Sequence, residues 1–194
     1  MLADLVKSLY GTLRLAKGDR RGLAYFDGTP EGARRSFSAL FLTLPLWLLI
    51  IWPGNDAQLQ TLGITAQEFA TVSALQMLTT LLFFFLVVER LSLRMGCRSR
   101  FPLYVSAQNW AGIVVVALML ALHFSLGDLP YWTGRIADVL TILLSWFITL
   151  SALRVTPVVA FGLCVLEVLA QQLVALGFAL VIGISMNLAA GAPA

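Results

Sequence analysis

Phe69–Val88 reads FATVSALQMLTTLLFFFLVV, a run of 20 residues with no formal charge that stops at the charged pair Glu89-Arg90. At roughly 1.5 Å of rise per residue a helix of this length crosses the roughly 30 Å hydrocarbon layer of a bilayer. An outer-membrane strand would be shorter and would alternate apolar with polar positions, which this run does not do. The stretch therefore predicts a transmembrane helix, and the rest of the chain is read outward from it.

On the N-terminal side, Phe37–Trp52 is a second apolar segment, held at its start by Arg34 and Arg35 and closed by the turn cluster Pro53-Gly54-Asn55-Asp56. Its helix is expected to begin earlier, with Thr29 as N-cap, Pro30 at the first helical position and Glu31 in the first turn, and Pro45 is a candidate kink. On the C-terminal side, Tyr104–Phe124 and Ile136–Leu153 follow, separated by Gly127-Asp128-Leu129-Pro130 with Tyr131 and Trp132 as interfacial aromatics. Val155–Met186 is too long for a vertical span and too short for two spans and a turn, so it is read as one long or tilted helix, with a break around Gln171-Gln172 as the alternative.

Composition agrees with this solvent. The 194 residues are 59% hydrophobic and 12% charged, against roughly 45–50% and 25% in soluble domains, and the mean hydropathy is +0.88. The expected fold is an all-α membrane protein, a bundle of about five transmembrane helices with spans near 37–52, 69–88, 104–124, 136–153 and 155–186. A cytoplasmic segment over 1–35 precedes the bundle at 36–188, and a short tail covers 189–194. Within the first segment, Leu2, Leu5, Val6, Leu9, Leu13 and Ala16 fall on one helical stripe with Lys7, Arg14 and Lys17 off it, which predicts an amphipathic interfacial helix rather than a signal peptide. Gly18-Asp19-Arg20-Arg21-Gly22 ends that helix.

Charge sets the orientation. Twelve of the thirteen Lys and Arg residues fall before the first span, between the second and third, or at Arg154, and only Arg135 falls on the opposite side. The positive-inside rule then places the N-terminus in the cytoplasm of a bacterial inner membrane. The same rule accounts for the basic pI without nucleic acid. Cys97 lies in a basic cytoplasmic loop and Cys164 in an apolar run, so neither a disulfide nor a metal site is expected.

There is no phosphate-binding glycine loop, zinc-type His-Glu pair or nucleophile elbow, which speaks against an enzyme and against any cofactor. The single histidine, His123, is placed at the outer end of the third span in an interfacial role. The polar residue that stands out is Glu167, expected near mid-membrane with Gln171 one turn further on the same face. Two readings compete: a side chain kept protonated because no Lys or Arg lies at its depth and bonding helix to helix, which leads because polar side chains commonly stitch membrane helices together, and a proton relay or polar-solute site. Asp138, Thr141, Ser145 and Thr149 form a polar stripe in the fourth span; Ser73, Gln76 and Thr80 form one in the second, and Asn109 with Gly112 one in the third. These faces are expected to turn inward, for packing before any wet pathway. Trp110 and Trp146 read as packing residues. Arg20, Arg21, Arg34, Arg35, Arg94, Arg98 and Arg100 offer a surface for lipid headgroups or a partner, although topology alone already requires most of them.

The basic N-terminal segment, the five closely spaced spans from Phe37 to Met186, and Trp146 in the fourth span followed by Ala152-Leu153-Arg154 resemble the layout of the Yip family. Arg154-Val155-Thr156-Pro157 stands where that family has a small-residue turn. The resemblance implies a membrane organising or accessory role and carries no catalytic residues. The expected function is a non-enzymatic scaffold or accessory subunit whose partners are membrane lipids, other membrane proteins or a second copy of the chain. A small transporter or proton-linked channel using Glu167 is the alternative.

Overall fold

The computed structural model describes residues 2–52, 59, 63–126 and 131–190, and among them there is helix and no strand. Helix α1 (Leu2–Ala16) is followed by a 3-10 turn over Arg20–Tyr25; α2 (Pro30–Ser36) passes through a 3-10 turn at Phe37–Ala39 into α3 (Leu40–Ile51). Then come α4 (Ala66–Arg94), a 3-10 turn at Arg98–Arg100, α5 (Phe101–Leu126), α6 (Tyr131–Leu153) and α7 (Pro157–Ala190). Among the described residues four stretches are long and apolar enough to cross a membrane: Pro30–Ile51, Ala66–Arg94, Arg98–Leu122 and Pro157–Val181, with Asp138–Leu153 a shorter apolar helix. The expected turns at Pro53–Asp56 and Gly127–Pro130, and the side chains of His123, Tyr131 and Trp132, lie outside the described residues.

Local chemistry explains most helix ends. The Thr29 hydroxyl accepts the Gly32 N–H at 3.0 Å with Pro30 in the first turn, as the sequence signals. Helix α4 starts on a capping box: the Thr65 N–H donates to Glu68 Oε2 at 2.7 Å and the Glu68 N–H donates to the Thr65 hydroxyl at 3.2 Å. Helix α1 stops at Gly18, whose φ of +77° favours glycine. There the Gly18 N–H bonds the Leu15 carbonyl and the Asp19 N–H bonds the Arg14 carbonyl, which satisfies the last carbonyls of the helix. The same pair of bonds closes α4 at Gly96-Cys97, onto Leu93 and Ser92. Helix α7 runs unbroken through Gln171-Gln172, so the long form of that segment is the one observed.

The chain divides into two compact units, Met1–Trp52 with Val88–Cys164, and Pro53–Val87 with Val165–Ala194. In the first, α5 is the central helix and packs on α1, α2, α3 and α6. Its core holds Phe26, Ala39, Tyr104, Val105, Ala107, Ala111 and Ile148. The second consists of the larger parts of the long helices α4 and α7.

Candidate functional site

The polar groups of the first unit concentrate at the end where α5 begins and α6 finishes. Helix α1 folds back on the Arg20–Tyr25 turn at a close approach of two glycines: a methyl at Gly22 would come within 2.5 Å of the Gly11 carbonyl, and one at Gly11 within 2.9 Å of the Gly22 carbonyl. Above this contact Tyr10 and Tyr25 meet edge to face at 4.9 Å. The Arg14 guanidinium lies 5.9 Å from each ring and pairs with Asp19, while the Asp19 carboxylate also accepts the Arg21 N–H at 2.9 Å. The Arg21 amide first, and Arg14 with it, hold the Asp19 carboxyl below its usual range. Asp27 is lowered in the same way by the Thr29 amide, the Thr29 hydroxyl and Arg35.

Helix α1 buries a different face from its apolar stripe. Ser8, Gly11, Thr12 and Leu15 are buried, while Val6 is 59% exposed and Leu13 51% exposed. Small side chains let the backbones approach, so the helix docks through them and leaves Val6, Leu13 and Ala16 of the stripe exposed, with Leu5 and Leu9 half-buried.

Further along α5, polar side chains bond to the neighbouring helices and to the loop before α2. Ser106 Oγ donates to the Asp27 carbonyl at 2.8 Å, Asn109 Nδ2 to Ser36 Oγ at 2.9 Å, and Gln108 Nε2 to Ser145 Oγ at 2.9 Å. Ser36 passes its own hydrogen back to the Ala33 carbonyl at 2.6 Å. Of the residues singled out from sequence, Asn109 and Ser145 are therefore buried and bonded. Asp138 is exposed, against the expectation that its whole stripe turns inward, and burial along that stripe is reached only at Ser145 and Thr149. The reason is position: Ser145 and Thr149 sit where α6 packs on α5, and Asp138 begins the apolar part of α6 among the exposed Val139 and Leu140. In the second unit, Gln76 and Glu167 are half-buried, whereas Gln171 is exposed. Trp146 is more than packing, since its Nε1 donates to the Pro157 carbonyl at 3.1 Å and ties α6 to the start of α7. Neither Cys97 nor Cys164 is in a disulfide, and burial raises the Cys97 thiol above its ordinary value.

Two cavities flank this region. One, about 390 Å³, is apolar and runs between the end of α1 and the middles of α5 and α6, with Leu15, Val115, Leu118, Leu144 and Phe147 in its wall. The other, about 620 Å³, opens where the Arg20–Tyr25 turn, the start of α5 and the end of α6 meet, and its wall carries Arg20, Arg100, Arg154 and Ser151. No signal within any one segment of sequence marks this second cavity, because its arginines come from three distant places in the chain.

Among the described residues these features define a helical protein without strands, with four helices long and apolar enough to cross a membrane and a polar, basic end to the first unit. Compared with known proteins, the chain matches no family model, no curated protein and no solved structure.

Proposed function

We propose that the chain is a multi-pass protein of a bacterial inner membrane, with five spans and a cytoplasmic N-terminus, that serves as a non-enzymatic scaffold or accessory subunit. The observation that carries this reading is the use made of its buried polar groups. Asn109 with Ser36 and the part-buried Gln108 with Ser145 bond helix to helix, Ser106 bonds α5 to the Asp27 carbonyl of the loop before α2, and none of these side chains can exchange a proton near neutral pH. A fifth span is supported by α6, whose 23 residues reach roughly 35 Å at the usual helical rise. The exposed part of the α1 stripe supports a helix lying at the membrane surface with Val6 and Leu13 in lipid. The charge bias supports the orientation, and the layout that resembles the Yip family is part of the same proposal.

Purification of the full chain in mild detergent tests the role. A stoichiometric protein partner is the expected result. A homogeneous preparation without a partner that moves protons or solute in liposomes, and loses that flux in Glu167→Gln, would replace the scaffold with the transporter. Reporter fusions test the orientation: those after Gly18 or between Arg94 and Arg100 should report cytoplasm, and one between Asp56 and Glu68 should report periplasm.

A further inference from the structure

We propose that the 620 Å³ cavity at the basic end of the first unit is a binding site for a phosphate-bearing anion, held by Arg20, Arg100 and Arg154. The site is independent of the scaffold reading. Its volume lies within the roughly 300–1,000 Å³ range of small-molecule sites. Its wall brings three guanidinium-bearing residues together from the Arg20–Tyr25 turn, the start of α5 and the end of α6, with no acidic residue among them. The acids near this end are engaged elsewhere: Asp19 with Arg14, Asp27 with Arg35, Glu31 with Arg34 and Glu89 with Arg98. Among the described residues, Arg20, Arg100 and Arg154 therefore have no carboxylate partner. Arg20 and Arg154 are exposed and Arg100 is half-buried, so the cavity opens to solvent through a basic rim that attracts an anion.

Two further observations point to a ligand. Ser151 stands in the cavity wall, 94% buried by its relative exposure of 6%, and its hydroxyl has no hydrogen-bond partner. A covered hydroxyl without a partner costs stability, and rotation of the Ser151 side chain toward the cavity would give it an anion oxygen as acceptor. Arg154 sits at φ +54°, a left-handed conformation that ordinarily selects glycine at a helix end. Arginine there accepts a backbone cost while placing its charge at the cavity. Arg100 Nη1 donates to the Ala152 carbonyl at 3.4 Å, which ties that guanidinium to the end of α6. Arginine suits phosphate in particular, because its planar fork binds two oxygens at once. The phosphate has two possible sources, the headgroup of an anionic lipid and a soluble phosphate, and Leu103 in the wall gives the first an apolar edge to follow.

The test uses the full chain in neutral detergent. Phosphatidylglycerol, phosphatidylcholine and inorganic phosphate are titrated separately, with binding read by native mass spectrometry and protection by thermal unfolding. The variants are Arg154→Gly, Arg20→Gln and Ser151→Ala, with Arg21→Gln and Arg94→Gln as controls from the exposed basic surface. Loss of a charge-assisted arginine contact should weaken anion binding roughly 10-fold or more in Arg154→Gly and Arg20→Gln, and the controls should change by less than about 2-fold. Arg154→Gly keeps the assay meaningful, because glycine suits the left-handed position and the variant should melt no lower than the parent. Selective binding of phosphatidylglycerol over phosphatidylcholine, lost in the variants, identifies a lipid headgroup. Protection by inorganic phosphate, lost in the same variants, identifies a soluble ligand. Unchanged binding in both arginine variants, or equal loss in the controls, would overturn the site and leave a diffuse basic surface.

Discussion

Helices α5 and α7 have nearly the same hydropathy and opposite surroundings. The apolar stretches Arg98–Leu122 and Pro157–Val181 have mean hydropathies of 1.8 and 2.0, yet 44% of the first window is buried inside the chain and only 22% of the second. The difference lies in the kind of side chain. Helix α5 carries Ser106, Ala107, Asn109 and Ala111 on its inner faces, while α7 turns Val158, Phe161, Leu173 and Val181 outward, Val158 at 80% exposure. Lipid is as apolar as leucine, so hydrophobicity selects the solvent of a helix and leaves its neighbours undecided. Close packing of small residues and hydrogen bonds decide those.

The strongest way to break this contrast is to fill a close approach. Gly22→Ala drives a methyl into the Gly11 carbonyl and Leu15, and overpacking of this kind should cost about 1–3 kcal/mol. Thermal unfolding in detergent reads the loss, and a variant as stable as the parent would show that α1 is not docked through its small-residue face.

Removing a hydrogen bond should cost less. Asn109→Leu deletes the donor to Ser36 and at the same time the Asn109 carbonyl oxygen, which has no partner, so the net loss should fall within or below the roughly 0.6–1.7 kcal/mol measured for membrane hydrogen bonds. Gln171→Leu, the same kind of change on the exposed face of α7, should leave stability in detergent unchanged. Equal losses at the two positions would erase the distinction between a protein-facing and an outward helix.

Smaller again, and of opposite sign, is Gly177→Ala. A methyl there meets nothing within 4 Å, so the higher helix propensity of alanine should stabilise α7 by up to about 1 kcal/mol. A clear loss would mean that this face packs on something, as a scaffold bound to its partner requires, and repeating the measurement with and without a co-purified partner locates the contact.

The sequence made one layer of this architecture legible and hid another. Local signals read well: the apolar core of each long helix, the Thr29-Pro30 start of α2 and the stop at Gly18 each depend on a few neighbouring residues. Thr65-Ala66-Gln67-Glu68 was just as local, and a count of apolar residues passes over it because its information is in hydrogen bonding. The apolar stripe of α1 marks a side suited to lipid and is silent on the docking face, which is built from Ser8, Gly11, Thr12 and Leu15. Gly11 against Gly22, and Arg20 with Arg100 and Arg154, became visible only in three dimensions. Their meaning is a juxtaposition across the fold, and no periodicity within one segment encodes it.

The smallest expected effect separates the basic end from the apolar helices by pH. Asp19 has its carboxyl held below the ordinary value by the Arg21 amide and by Arg14. Because the folded value is the lower one, the ionised carboxylate supports the hairpin fully above the unfolded value near 4 and loses that support as pH falls through the folded value. Acidification from roughly pH 5 to pH 3 should therefore lower the hydrogen-exchange protection of residues 5–25, after correction for intrinsic rates, and leave the buried middle of α5 unchanged. Asp19→Asn should show the weakened hairpin already at neutral pH, because an amide keeps the shape and forfeits the charge pairing with Arg14. Between pH 5 and pH 3 that variant should respond less than the parent, with Asp27, also lowered and paired to Arg35, supplying what remains. An Asn variant with full acid sensitivity would assign the effect to Asp27 alone, and an acid response spread evenly over α5 would show that the hairpin and the spans unfold as one.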